Sequence, residues 1–129
     1  MDTPEFLDQV AKVKYTIQLY IDGAEGNPEQ LESAFHADAR MFGHIGETRR
    51  DVPITDFIDG VRAANKKLTG NRYRAELVDV TVTGEAAIVT LVEQDYRGCD
   101  FINYFTLAKY GDDWKIVSKT FTCTGGEFS

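Results

Sequence analysis

From Arg72 onward the chain consists of four runs rich in Val, Ile, Thr, Tyr and Phe, broken by turn signals at Thr83-Gly84-Glu85, Arg97-Gly98 and Gly111-Asp112-Asp113. β-Branched and aromatic side chains fit a pleated, half-buried surface, and Gly and Asp supply turn conformations, so this half reads as an antiparallel meander. The third run constrains the fold most. Period-two alternation puts Phe101, Phe105 and Leu107 on one face and Ile102, Tyr104 and Ala108 on the other, so neither face suits full solvation. Helices can cover one face. The other face leaves an apolar patch that a second copy of the chain would cover, making a homodimer the economical expectation. The alternative is a monomer whose surface is merely shaded by Tyr104 and its neighbours.

The first half supplies the helices. Thr3-Pro4-Glu5 combines a cap hydroxyl, a proline suited to the first turn and an acid near the positive end of the helix dipole. Phe6, Val10, Val13, Ile17, Tyr20 or Ile21 and Ala24 then form one apolar stripe, predicting a helix to about Glu25. Asn27-Pro28-Glu29-Gln30 repeats the start signal, with Asn27 as cap and Gln30 reaching back to it, for a short helix burying Leu31, Ala34 and Phe35. Ile54, Phe57, Ile58 and Val61 mark a third helix running to about Lys67, which Gly60 weakens by only ~1 kcal/mol. Between the second and third helices, Ala39 to Ile45 suits a small strand and Gly46 to Asp51 a polar hairpin. With no repeat, linker or low-complexity stretch, residues 1–129 read as a single α+β domain.

Composition removes several function classes. A chain of 129 residues can bury roughly 68% of its unfolded surface, enough for one core. Its net charge of -7 repels phosphate backbones, so no nucleic-acid partner is expected. No apolar run reaches membrane-spanning length and the start is acidic, so no membrane association is expected and the location is read as cytoplasmic. Two cysteines, Cys99 and Cys123, lack metal-ligand spacing and read as free thiols, with a disulfide left open. Two histidines and no H-E-x-x-H or H-x-x-E-H run predict no metal, and no dinucleotide, P-loop or G-x-S-x-G motif points to a cofactor or a serine nucleophile.

Five blocks carry a family resemblance: Tyr20-Ile21-Asp22-Gly23, Phe35-His36-Ala37-Asp38-Ala39, Phe57-Ile58, Asn103-Tyr104-Phe105-Thr106-Leu107 and Trp114-Lys115-Ile116-Val117-Ser118-Lys119-Thr120-Phe121. Together they resemble the nuclear transport factor 2-like superfamily and, within it, the group called putative lumazine-binding, over about Val10 to Thr122. The resemblance implies a cone-shaped, cystatin-like fold. Three helices pack on the concave face of a curved, mostly antiparallel sheet, with a pocket between them and dimers formed through the convex face. It does not imply one reaction, because this cone serves isomerases, dehydratases, cyclases, transport factors and noncatalytic domains.

In ketosteroid-isomerase-like members a Tyr late in the first helix and an acid on a late strand donate hydrogen bonds to a substrate oxygen, and an Asp moves the proton. By resemblance, Tyr20 takes the first place and Asn103 the second, while the base position falls on Gly43, which has no side chain. His44 is the adjacent replacement base, provided that a bulge or turn brings it to the pocket side. Tyr20 can equally be a core aromatic. Tyr20, Phe42, Phe57, Val61, Gln94, Asn103 and Phe105 are the expected ligand-binding residues; Gln94 enters because an even Arg97-Gly98 loop would set it or Val92 opposite Asn103. Glu93, Asp95, Arg97 and Asp100 read as solvated charges around one hairpin, Lys119 as a surface or rim charge with its stem on the sheet, and Trp114 as packing.

Three functions follow. The first is a domain that binds a small, largely apolar molecule in the cone pocket. The second is a cofactor-free lyase or isomerase acting beside a carbonyl, with Tyr20 and Asn103 as donors and His44 as base. The third is a protein-interaction module.

Overall fold

The computed structural model describes residues 3–129. Three helices, α1 (Pro4–Ala24), α2 (Pro28–Ala34) and α3 (Ile54–Ala64), lie against six strands: β1 (Phe35–Ile45), β2 (Thr48–Pro53), β3 (Arg74–Thr83), β4 (Ala86–Tyr96), β5 (Cys99–Tyr110) and β6 (Asp113–Gly126). The strand order is β2-β1-β6-β5-β4-β3. Only β1 and β6 run parallel; every other pair is antiparallel. No helix among the described residues is long and apolar enough to cross a membrane.

The helix starts follow their residues in part. Thr3 caps α1, its Oγ1 accepting from the Phe6 amide at 3.1 Å, with Pro4 in the first turn. Val13, Ile17, Tyr20 and Ala24 are buried in one stripe, which drives α1 onto the sheet. At α2 the expected capping box does not form. The Asn27 amide instead donates to the Asp22 carbonyl at 2.8 Å, and no side chain caps the helix. Gly23 allows this tight corner, since a Cβ there would collide with the Leu31 backbone. Phe35 is already extended (φ -110°, ψ 147°) and opens β1 instead of closing α2. The third helix stops at Ala64 rather than near Lys67, because Asn65 turns left-handed at φ 49°, a conformation that Asn tolerates at a helix end.

Alternation along β5 is as the sequence predicts: Phe101, Phe105 and Leu107 are buried on the inner face, while Tyr104 is half exposed on the outer one. Register shifts occur in the β1–β6, β3–β4, β4–β5 and β5–β6 pairings, and two of these bulges border the site. In β4 the pairing shifts between Glu93 and Tyr96, where Asp95 takes φ 55° and its amide donates to Asp100 Oδ1 at 2.9 Å. In β6 it shifts between Thr106↔Ser118 and Leu107↔Ile116, leaving Val117 as the extra residue. A one-residue slip exchanges the two faces of a strand. Both slips decide what lines the site.

Candidate functional site

Between the helices and the inner sheet face lies a cavity of about 370 Å³. Tyr20 from α1, Phe57 and Val61 from α3, and Glu93, Asn103 and Lys119 from β4, β5 and β6 all face it, and exposed Thr48, Asp56 and Gly60 border its mouth. The floor is aromatic. Tyr20 packs edge-on to Phe105 at 4.8 Å and to Phe35 at 6.0 Å.

Glu93 is the polar hub. It is only 1% exposed, and its Oε1 accepts from Asn103 Nδ2 at 2.7 Å and, at the long limit of 3.5 Å, from the Tyr20 hydroxyl. Its Oε2 accepts from the Tyr73 hydroxyl at 2.6 Å. Three donors therefore stand in for the water that a buried carboxylate loses. Burial, then the Glu93 charge, pushes the Tyr20 and Tyr73 hydroxyls well above the ordinary phenol range, so both remain protonated donors. Burial does the same to Tyr96, whose hydroxyl donates to the Ala24 carbonyl at 2.7 Å and ties the end of α1 to β4.

Asn103 is fully buried, and its orientation follows from its neighbours. Its Nδ2 faces two acceptors, Glu93 Oε1 and the Leu91 carbonyl at 3.4 Å, so the amide nitrogen must occupy that side. That leaves Oδ1 as a buried acceptor with no donor among the described residues. Such an atom costs about 1 to 3 kcal/mol until a donor reaches it.

Lys119 is 6% exposed, and its Nζ stands 4.2 Å from the Phe121 ring centre, 5.3 Å from that of Phe57 and 5.9 Å from that of Tyr20. No carboxylate among the described residues comes within 4.0 Å of it. Burial lowers its pKa from 10.5 to about 8, against a smaller opposing pull from Glu93. The rings give the ammonium cation–π support but no counter-ion.

Four of the expected site residues face this cavity: Tyr20, Phe57, Val61 and Asn103. Tyr20 and Asn103 meet at the same Glu93 oxygen. The others are placed differently. Phe105 is on the inner face but lies beneath Tyr20, fully covered by it and its neighbours. Phe42 and His44 point to the outer face, since Met41 and Ile45 of the same strand take the cavity side and no bulge intervenes between them. His44 is exposed and borders a separate hollow with Cys123 and Gly126. At Gly43 a Cβ would collide with the Phe121 carbonyl and come within 2.9 Å of its ring, so this position has no room for a base. Gln94 is exposed beside Arg74; the β4 bulge sets Leu91, not Val92 or Gln94, opposite Asn103.

Glu93 and Lys119 are the residues that sequence reasoning missed, having placed both in solvent. One signal was available for each. Glu93 continues the buried Ala87, Val89, Leu91 series, and Lys119 is in phase with Phe121 when β6 is counted backward from its far end.

Comparison with known proteins agrees with this architecture. An uncharacterised nuclear transport factor 2-like protein from Methylobacillus flagellatus superposes with a TM-score of 0.82 at 24% identity, over 92% of this chain and 94% of that one. One from Shewanella baltica, also of unknown function, gives 0.83 at 20% identity over 96% and 99%. A putative dehydratase of the same fold family from Streptomyces avermitilis gives 0.67 at 20% identity over 95% and 99%. At these identities the likeness is one of fold. No curated protein matches the chain. Residues 8–122 match the family described as putative lumazine-binding, which covers nearly all of both layers. The chain therefore belongs to the putative lumazine-binding family, and its fold is that of the nuclear transport factor 2-like proteins it superposes on.

Proposed function

We propose that this protein binds a small, largely apolar molecule in the cavity between helices and sheet, oriented by a hydrogen-bond donor on the ligand that pairs with Asn103 Oδ1. The orphaned Oδ1 carries this reading: a buried acceptor beside an aromatic-walled void is completed by a ligand N–H or O–H. Phe57, Val61 and Tyr20 supply the apolar contact. The carbonyl lyase or isomerase reading has less support. His44 lies on the other face, and the Asn103 amide nitrogen is already committed to Glu93.

A matched pair of probes tests this. Benzamide offers an N–H donor, whereas N,N-dimethylbenzamide does not. Benzamide is expected to raise the melting temperature more, with a ligand at a hundred times its Kd stabilising by about 2.7 kcal/mol. The difference between the two probes should vanish in Asn103→Leu. Equal shifts from both probes in the wild-type protein would sink the proposal.

A homodimer through the outer sheet face belongs to the same reading. Ile88 and Tyr104 stand 54% and 50% exposed on that face, where a partner copy would cover them. Sedimentation at micromolar concentration should show a dimer that Tyr104→Glu converts to monomer. A monomeric wild-type chain would contradict this.

A further inference from the structure

Lys119 is the one buried lysine among the described residues, and the reading above gives its amine no task. Its Nζ faces the cavity, has no carboxylate within 4.0 Å to hold its proton, and is ringed by Phe121, Phe57 and Tyr20. A planar aromatic molecule lying against those rings would bring its substituent to the amine. We infer that Lys119 forms a reversible imine with a small aromatic aldehyde or ketone held in this cavity. The inference rests on the proposed binding of a small apolar molecule in the cavity, not on its pairing with Asn103 Oδ1, and deepens it by naming the ligand class.

The step balances without any added oxidant or reductant. The Nζ lone pair attacks the carbonyl carbon, forming a C–N bond while the π electrons move to oxygen. Both hydrogens of the neutral amine then pass to that oxygen, the C–O bond breaks, water leaves and C=N remains. The charged and titratable groups facing the cavity are Tyr20, Arg50, Asp56, Glu93, Tyr96 and Arg97. Glu93 is the carboxylate among them that lies deep in the wall, where it already accepts from Tyr20, Tyr73 and Asn103. The exposed residues at the mouth leave a route for the water. An amine with a pKa of about 8 is deprotonated at neutral pH far more often than one at 10.5, and desolvated lysines use that property in covalent chemistry.

The test is reductive trapping of the full chain with benzaldehyde and cyanoborohydride at pH 7, followed by peptide mapping. Lys119 should take the benzyl group first, roughly ten- to a hundred-fold faster than exposed Lys14 or Lys67. Its rate should level off above about pH 8, while those of the surface lysines keep climbing. Lys119→Met should lose the fast phase, although mapping of the wild-type protein decides the matter even if that variant folds poorly. Labelling spread over surface lysines, or an unmodified Lys119, would overturn the inference. Benzamide, which cannot form an imine, separates the two proposals: a melting shift with benzamide but no Lys119 adduct overturns imine formation alone. An adduct without a benzamide shift supports imine formation and removes the Asn103 donor requirement.

Discussion

Glu93→Leu is expected to lower the free energy of unfolding by about 3 kcal/mol, a large share of what a domain this size possesses. The substitution fills similar space and removes a buried charge, which by itself would help. It also leaves Tyr20, Tyr73 and Asn103 aiming donors at a methyl group. The second effect wins because taking one partner out of a buried network costs more than replacing the whole network with apolar groups. Urea unfolding measures the loss. Combining Glu93→Leu with Tyr73→Phe and Asn103→Leu should recover part of it, because the stranded donors go too and neighbouring sites couple. A single-variant loss below about 1 kcal/mol would show that the donors find water instead of depending on Glu93.

Lys119→Met is expected to work in the opposite direction. Lowering an ammonium pKa from 10.5 to about 8 means that folding opposes the charge, at a cost of roughly 3 kcal/mol while the lysine is protonated in both states. Loss of the cation–π contact with Phe121 offsets about 1 kcal/mol, so a net gain of about 2 kcal/mol is expected at pH 7. The sign with pH follows from proton binding. Between about pH 8 and 10.5 the unfolded chain still holds the proton that the folded chain has released, so wild-type stability rises across this window from this group and the advantage of the variant shrinks. Unfolding at pH 7 and pH 10 measures both. A variant less stable than wild type at pH 7 would mean that the ring cradle outweighs burial.

Both residues were read from the sequence as solvated, and the reason is geometric. Counting alternate positions from Trp114 and Ile116, both buried, sends Lys119 outward; the extra residue Val117 reverses that phase and turns it into the cavity. Counting back from an unbroken Arg97-Gly98 hairpin sets Val92 opposite Asn103; the bulge before Tyr96 moves Leu91 there and brings Glu93 inward. A bulge adds one residue without altering composition, so hydrophobic patterning registers it only weakly. His44 fails for the complementary reason. It needed a bulge next to Gly43, and β1 runs regularly there against both β2 and β6.

What the linear chain determined is the family, the α+β layering, the stripe that carries Tyr20 to the core and the inward phase of Phe101, Asn103 and Phe105, because these depend on local periodicity and on residue types that tolerate little else. What only the tertiary structure decided is which charges share the cavity. Glu93, Asn103 and Lys119 lie on three neighbouring strands. Their meeting depends on strand register, and register depends on two single-residue insertions held by long-range pairing, which the local alternation of either strand records only weakly.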